Sequence, residues 1–244
     1  MTAVALGLPS LRAPRRDVAQ LRALARAGRR ELADADARQV VAWAAEHFPE
    51  SLAVASSMQD NVLTHLVAEA IPGVHVLFLD TGYHFSETYQ TRRRVEEELD
   101  VTVVDVQARQ SVAAQDAEHG PRLHDRDPAL CCRLRKVEPL DAALSGYEAW
   151  ATGTRRADGG TRVDTEHISW DERRGLVRIA PLALWSDDDV EAYAAKHGVP
   201  TNPLLAEGYP SIGCAPCTRR VEAGEDARAG RWSGFEKTEC GIHR

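Results

Sequence analysis

The feature that most constrains the fold of this chain is an alternation of short apolar runs with amphipathic segments. The runs Ser51–Ser57, Val74–Asp80 and Val101–Val106 predict buried strands. Between them, Asn61–Ala70 and Ser86–Leu99 have the residue pattern of helices. Continuous apolar strands that alternate with helices indicate a parallel sheet that is covered on both faces. We therefore expect an α/β fold with helices on both sides of the sheet.

Further elements precede and follow this core. Residues 1–15 look irregular, and two helices are expected after them, at Asp17–Leu32 and Asp36–His47. Later segments predict a helix that starts near Pro128 and carries two adjacent cysteines, and strands at Ala149–Gly153 and Leu176–Pro181. A capping box formed by Ser186 and Asp189 predicts a last helix that ends near His197.

Composition and charge exclude several functional classes. The 244 residues carry a formal net charge of −7, which argues against a general nucleic-acid-binding protein. No apolar run approaches the length of a membrane span. The basic residues near the amino terminus follow its apolar patch and do not precede it, so we expect no signal peptide. Cysteines at ligand-like spacing in such a chain indicate a reducing, cytoplasmic environment.

The five cysteines fall into two kinds. Cys131 and Cys132 are adjacent, Cys214 and Cys217 form a Cys-x-x-Cys pair, and Cys240 stands alone near the carboxyl terminus. Four thiolates can close a zinc or an iron–sulfur site, and adjacent cysteines, unusual for zinc, favour iron–sulfur. A buried apolar pair and a redox dithiol are the alternatives. The single Cys240 is either an idle surface thiol or a covalent nucleophile.

Two loops follow predicted strands at the edge of the sheet where ligands bind in such folds. Ser56 and Ser57 precede a helix whose amino terminus suits a phosphate or sulfate, although a capped turn is the simpler explanation. Asp80 and Thr81 either receive a polar group of a nucleotide or close a structural turn.

Basic residues mark three further segments. Arg155 and Arg156 lie in a glycine-containing loop after a predicted strand, where guanidinium groups would match the oxygens of a dianion. Arg228 and Arg231 are spaced to share one face of a helical turn, and they either converge on an anion or pair with nearby carboxylates. Lys136 lies four residues after the adjacent cysteines, where it would offset thiolate charge or be a solvated lysine.

In combination, these motifs resemble the thioredoxin-dependent assimilatory adenylyl-sulfate reductases, within the phosphoadenylyl-sulfate reductase family. The resemblance covers roughly residues 40–244 and rests on segments in the family's order, namely SSMQD, LDTGYHF, LCCRLRKVEPL, WATGTRR, YPSIGCAPCTRR, GEDARAGRW and ECGIH. That family has a parallel α/β sheet related to PP-loop pyrophosphatases, also described as adenine-nucleotide-hydrolase-like, which agrees with the predicted alternation.

The resemblance implies a role for each group of residues. Cys240 would be the catalytic nucleophile. The ligands of a [4Fe–4S] cluster would be Cys131, Cys132, Cys214 and Cys217. The residues implied in substrate binding are Ser56, Ser57, Asp80, Thr81, Lys136, Arg155, Arg156, Arg228, Arg231 and His243. The chain would comprise a helical segment over 1–35, a nucleotide-binding reductase domain with the iron–sulfur site over 36–232, and a mobile catalytic tail over 233–244.

The implied activity is the reduction of adenylyl sulfate to sulfite and AMP in sulfate assimilation and cysteine biosynthesis. Cys240 would become an S-sulfocysteine, and reduced thioredoxin, or a glutaredoxin-like donor, would release sulfite from it. We expect no nucleic-acid or membrane partner, and the sequence leaves homo-oligomer formation open.

Three other functions compete with this interpretation. A reductase of the same family would use phosphoadenylyl sulfate, alone or as a second substrate, but such relatives commonly lack the four cluster cysteines. A PP-loop sulfurtransferase acting on tRNA is disfavoured by the acidic charge and by the absence of an SGGxDS-like loop. A zinc-binding regulatory module would give no role to Cys240.

Overall fold

The computed structural model describes residues 15–243. Most of the predicted irregular start and the last residue of the predicted tail therefore lie outside the described residues. Among the described residues, no helix is both long enough and apolar enough to span a bilayer.

Helices and strands alternate along most of the described chain. The strands are β1 (Leu52–Ser56), β2 (Val74–Asp80), β3 (Val101–Gln107), β4 (Ala149–Thr152), β5 (Ile168–Asp171) and β6 (Leu176–Ile179). The helices are α1 (Val18–Glu31), α2 (Ala37–His47), α3 (Val62–Ala70), α4 (Ser86–Glu98), α5 (Val112–His119), α6 (Leu123–Arg126), α7 (Pro128–Cys132), α8 (Glu138–Leu144) and α9 (Asp187–His197). A π-helical turn, Arg133–Val137, joins α7 to α8.

The strands form one six-stranded sheet in the order β3-β2-β1-β4-β6-β5. The pairs β3–β2, β2–β1, β1–β4 and β4–β6 are all parallel, and only β5 runs antiparallel to its neighbour. Connections from β1 run outward to β2 on one side, whereas β4 joins on the other side. Ligands bind at such a reversal of strand order in parallel α/β sheets. The predicted fold class is confirmed.

Strand β5 and helices α5 and α6 are absent from the sequence-based prediction. β5 forms a hairpin with β6, closed by a turn in which the Gly175 amide donates to the Asp171 carbonyl at 2.8 Å. Gly175 has a φ of +67°, a conformation that glycine adopts without strain. The strand was missed because it spans only four residues and two of them are half-buried, so it lacks a continuous apolar run.

Both faces of the sheet are buried, as continuous apolar strands require. Along β1, Leu52 and Val54 pack into the same core cluster as α1, α2 and α3, whereas Ala53 points into a second cluster. Leu140 and Trp150 belong to that second cluster, so α8 covers the opposite face of the sheet. Residues of α1 lie within the first cluster; the division of the chain at residue 35 stays a prediction.

Local signals in the sequence explain where several helices begin. Asp17, Asp36 and Ser186 each accept a hydrogen bond from the backbone amide three residues later, and each forms a complete capping box. These three caps place the starts of α1, α2 and α9 within one residue of the predicted positions.

The helix that carries the adjacent cysteines is irregular at its centre. Its π turn precedes Pro139, which has no amide hydrogen to donate to a regular helix. The wider turn changes the helical register directly after Cys132. Short π segments inside helices are frequent at functional sites.

The packing of α1 on α2 gives the first testable prediction. A methyl group at Gly28 would lie 2.6 Å from Cζ2 of Trp43, which is closer than side-chain carbons approach. We expect Gly28→Ala to lower the free energy of unfolding by about 1–3 kcal/mol through overpacking, despite the higher helix propensity of alanine. Urea denaturation measures this change. In a Trp43→Phe background, Gly28→Ala should lower the free energy of unfolding by less. An equal loss in the wild-type and Trp43→Phe backgrounds would contradict the proposed clash.

Candidate active site

A cleft of about 300 Å³ opens at the carboxyl ends of β1 and β4, at the reversal of strand order. The predicted site residues that line it are Ser56, Ser57, Lys136, Arg155, Arg228, Arg231, Cys240 and His243. Three others, Asp80, Thr81 and Arg156, do not line the cleft. The long-range fold therefore brings together segments that lie up to 187 residues apart in the sequence, from Ser56 to His243.

The first loop is held in shape by its own side chains. Met58 and Asn61 have φ values of +56° and +55°, in the left-handed region. Ser56 Oγ accepts from the Met58 amide and donates to Asn61 Oδ1, both at 3.1 Å. Asn61 Nδ2 donates in turn to the Pro200 carbonyl at 2.7 Å. Ser56 and Ser57 both line the cleft, and the Ser56 hydroxyl also holds the turn in shape.

The second loop, which contains Asp80 and Thr81, has a structural role in the turn after β2 and beside Cys214. Asp80 accepts hydrogen bonds from Tyr89 Oη at 2.7 Å and from the Gly82 amide at 3.0 Å, which closes the turn. Thr81 is buried, and its Oγ1 lies 3.2 Å from Cys214 Sγ. Asp80 therefore closes the loop, and Thr81 contacts one of the four grouped cysteines.

Four cysteines gather around a small cavity. Cys131 and Cys132 come from the end of α7, and Cys214 and Cys217 flank a short helical turn. The Ala215 amide donates to the Tyr83 carbonyl at 2.7 Å, which ties the Cys-x-x-Cys segment to the second loop. Burial and the proximity of the other three thiols raise the pKa of Cys131 to about 12. A raised pKa keeps a thiol protonated, so a positively charged metal or iron–sulfur centre would be needed to hold this set as thiolates.

The spread of the four sulfurs fits a polynuclear cluster better than a single ion. Thiolate sulfurs bond to zinc at about 2.3 Å, so sulfurs around one zinc lie about 4 Å apart. Within residues 15–243, the only group of three or more candidate ligand atoms within 4.8 Å of one another is His65, Glu69 and His197. No three of the cysteine sulfurs are therefore that close together, whereas each iron of a larger cluster takes one thiolate.

Lys136 links the cysteine group to the cleft, because it lines both cavities. Burial disfavours its charge, but the negative charges of Cys214, Cys240 and Cys132 as thiolates outweigh that effect and raise the pKa of Lys136. The ammonium group is therefore held charged between the four grouped cysteines and the single Cys240. Arg135, the preceding residue, points elsewhere and donates to the carbonyl of Thr81.

The third loop turns one of its two adjacent arginines into the cleft. Arg155 pairs with Asp158 at 3.1 Å and with Asp187 at 2.6 Å. Arg156 is exposed, and its Nε donates to the Thr165 carbonyl at 2.8 Å. Arg162, which is not among the predicted site residues, also lines the cleft and lies 2.9 Å from Asp158.

Glu239 is a cleft residue that sequence reasoning missed. Its side chain is 8% exposed and receives two hydrogen bonds from Arg162, at 2.7 Å and 2.9 Å. Arg228 approaches the same carboxylate at 3.4 Å. Burial opposes its charge, but the hydrogen bond from Arg162 and the two guanidinium charges lower the pKa of Glu239. Its position next to Cys240, in a chain with so many arginines, was the available signal.

Residues beyond Cys240 dock onto the sheet. Ile242 packs against the second core cluster, and its carbonyl accepts from Arg174 at 2.9 Å. The His243 carbonyl accepts from Arg178 at 3.1 Å, and its ring stacks on Trp150 with a centroid distance of 5.7 Å. Cys240 is thereby held half-buried at the cleft. Sequence patterns do not reveal these partners, because Trp150 and Arg178 lie on β4 and β6 and Arg174 lies in the β5–β6 turn, all far from the tail in the sequence.

Comparison with known proteins identifies the family. A model of the phosphoadenosine phosphosulfate reductase domain matches residues 50–220. The chain belongs to the phosphoadenosine phosphosulfate reductase family. The resemblance drawn from its motifs is confirmed.

Relatives with high identity carry one name. The adenosine 5'-phosphosulfate reductase of Streptomyces coelicolor is 59% identical over 228 residues, which cover 93% of this chain and 97% of that protein. The enzyme of the same name from Mycolicibacterium smegmatis is 54% identical over 224 residues, covering 92% and 95% respectively.

Solved structures agree on the fold. A crystal structure of phosphoadenylyl-sulfate reductase from Candida auris, in complex with phosphate, has a TM-score of 0.68 and 28% identity, and the match covers 81% of this chain and 96% of that chain. Yeast FAD synthetase in complex with FAD has a TM-score of 0.51 at 14% identity, with coverage of 86% and 71%. The second likeness concerns the fold alone.

The environment of His243 gives the second prediction. Burial and the nearby charges of Arg162, Arg178, Arg174 and Arg228 lower the pKa of its imidazole to about 3. An unfolded tail binds a proton near pH 6.5, and the docked ring does not, so docking should weaken as pH falls below about 6.5. We expect the NMR signals of the His243 ring to stay those of neutral imidazole at pH 5. A midpoint near 6.5, as in a free tail peptide, would show that the ring is not docked.

Proposed function

We propose that this chain is an adenylyl-sulfate reductase that forms sulfite and AMP through a covalent intermediate on Cys240. The observation that carries the proposal is the position of Cys240 in one cleft with Lys136, Arg162, Arg228 and Arg231. A thiol nucleophile and a group of cations are what the cleavage of a phosphosulfate bond requires, because charge develops on the leaving phosphate. The similarity to enzymes named adenosine 5'-phosphosulfate reductase supports the same activity.

The phosphosulfate group would bind among the basic side chains of the cleft. Guanidinium groups hold phosphate and sulfate oxygens by paired hydrogen bonds, and Arg228 and Arg231 both line the cleft. Lys136 would hold the sulfate end near Cys240, because both side chains line the cleft. The nucleoside would extend towards the first loop, where Ser57 lines the cleft.

The first chemical step is a displacement at sulfur. The thiolate of Cys240 attacks the sulfate sulfur, a bond forms between the two sulfur atoms, and the bond from sulfur to the bridging oxygen breaks. That oxygen leaves with the electron pair as part of AMP. The basic side chains stabilise the charge on the departing phosphate, and Cys240 now carries a sulfo group.

The second step releases sulfite to a dithiol donor, for which we propose reduced thioredoxin. A donor thiolate attacks Cys240 Sγ and forms a mixed disulfide, while sulfite leaves with the electron pair. The second donor thiol then displaces Cys240, so the donor is oxidised to a disulfide and two electrons reach sulfur. Cys240 is half-buried in the docked tail, so the tail must open for this step.

Cys131, Cys132, Cys214 and Cys217 would hold a [4Fe–4S] cluster. When bound, the cluster supplies a charged centre that fixes α7, the Cys-x-x-Cys turn and Lys136 relative to one another. The two electrons of the reaction come from the dithiol donor, so the thiol chemistry of Cys240 is complete without a redox role for these residues.

Glu239 supports a specific closed state of the tail. Without substrate, the Glu239 carboxylate accepts hydrogen bonds from Arg162 and lies close to Arg228. It therefore fills the position between two guanidinium groups that a substrate anion would need. We propose that the phosphosulfate displaces this carboxylate as it binds. Binding would then release the Glu239 contact and let Cys240 move onto the substrate.

Sulfite release tests the activity and its substrate. We expect anaerobically purified protein with reduced thioredoxin to convert adenylyl sulfate to sulfite, and to turn over phosphoadenylyl sulfate far more slowly at equal concentration. The expected preference rests on the name shared by the curated relatives. Preference for the phosphorylated substrate would retain the mechanism and overturn the substrate assignment.

Cys240→Ser is the matched control for this measurement, because it removes the thiol and keeps the size of the side chain. Sulfite release should be lost, while the visible absorbance of a cluster on the other four cysteines should remain. Continued turnover by Cys240→Ser would disprove the covalent mechanism.

Glu239→Gln tests the closed tail. The amide cannot make the charge-assisted pair with Arg162, and such bonds contribute about 1.5–3 kcal/mol. Without substrate, we therefore expect iodoacetamide to alkylate Cys240 about tenfold faster than in the wild type, as measured by mass spectrometry of the tail peptide. Glu236→Gln is the control, since Glu236 lies on the same tail and is exposed. Equal alkylation rates in the wild type, Glu239→Gln and Glu236→Gln would show that Glu239 does not hold the tail closed.

A further inference from the structure

Outside the cleft, three candidate metal ligands converge on the surface between α3 and α9. One ring nitrogen each of His65 and His197 and one carboxylate oxygen of Glu69 all lie within 4.8 Å of one another. None of the three residues lines the cleft or the cavity between the four cysteines. The group is therefore separate from the site of the proposed reaction.

The helical spacing of these residues produces the convergence. His65 and Glu69 are four residues apart on α3, so they lie on one face of that helix. Tyr193 and His197 have the same spacing on α9, and their rings stack with centroids 4.2 Å apart. The two pairs face each other, and the His65 and His197 rings are 5.4 Å apart.

Tyr193 adds a fourth polar group at the same place. Its hydroxyl lies 3.0 Å from His65 Nδ1 and 3.3 Å from Glu69 Oε2. A second contact of Glu69 is an ion pair with Arg38, at 3.3 Å and largely exposed. Exposed ion pairs of this kind contribute little, so a metal ion can take over the carboxylate.

We propose that His65, Glu69 and His197 bind one divalent transition-metal ion of the zinc class, which links α3 to α9. Two imidazoles and a carboxylate form a ligand set that zinc accepts, with a fourth position for water or the Tyr193 hydroxyl. Imidazole ligands also suit nickel and copper, whereas magnesium and calcium prefer sites made of oxygen atoms.

The metal ion would stabilise the position of α9, because this helix buries little of its surface against the rest of the protein. It has no fully buried residue, and its inner face consists of the half-buried Val190, Tyr193, Ala194 and His197. At its start, Asp187 pairs with Arg155 of the cleft at 2.6 Å. An ion between the far end of α9 and α3 therefore fixes the helix whose first turn positions a cleft arginine.

Zinc titration of the full chain tests the proposal. Calorimetry on anaerobically purified protein should show one Zn²⁺ site that persists after Cys240 is replaced by serine. His65→Ala and His197→Ala should each weaken this site by about tenfold or more. His119→Ala is the matched control, because His119 is a half-buried helical histidine outside the group, and it should leave the affinity unchanged.

Thermal unfolding gives a second test, which does not depend on the number of bound ions. Zn²⁺ should raise the Tm of the wild type and of His119→Ala, because a ligand that binds only the folded chain stabilises it. The increase should be lost in His65→Ala and in Glu69→Gln; the latter changes an exposed side chain and should fold normally. Unchanged Zn²⁺ affinity in both histidine variants, or the absence of a site that survives alkylation of the cysteines, would overturn the proposal. Neither outcome bears on sulfite release.

Discussion

The cationic charge at the reversal of strand order organises the last third of this chain. Arg155, Arg162 and Arg228 stand half-buried at the ends of parallel strands, where guanidinium charge needs partners. Carboxylates from remote segments supply them: Asp187 opens α9, and Glu239 precedes Cys240. The start of α9 and the course of the tail are thus fixed by the same side chains that are suited to an anion. Substrate affinity and the closed state of the tail therefore draw on one set of contacts.

The sheet determines where this charge can accumulate. Because β1 and β4 are adjacent and parallel, the first loop and the arginine loop meet at one edge, although almost 100 residues separate the two strands. The chain leaves β1 towards β2 on one side, while β4 pairs with β1 on the other, and this reversal of strand order leaves a crevice open there. Yeast FAD synthetase shares this architecture at 14% identity, so the fold alone selects no reaction. The thiols and arginines of this chain give the cleft its chemistry.

Local sequence patterns predict most of the strands and helices, but they do not predict contacts between residues that are far apart in the chain. Buried strands have continuous apolar sequences, and capping boxes mark helix starts, so β1, β2 and α9 were predicted almost to the residue. β5 escaped because hairpin pairing with β6 stabilises a segment without an apolar run. The motifs assign the cysteines and Arg228 to the candidate site. The pairing of Glu239 with Arg162 joins residues 77 positions apart and leaves no local signal in the sequence.

Lys136 connects the two kinds of cysteine through a single helix. The irregular helix over 128–144 carries two of the grouped cysteines at its start, Lys136 in its π turn and core residues such as Leu140 at its end. Its end is fixed by the core, so any shift at Cys132 is transmitted to the turn that holds Lys136. Occupation of the four-cysteine site would set the position of the ammonium group, and Lys136 lines the same cleft as Cys240. An occupied four-cysteine site would thereby control the charge beside Cys240.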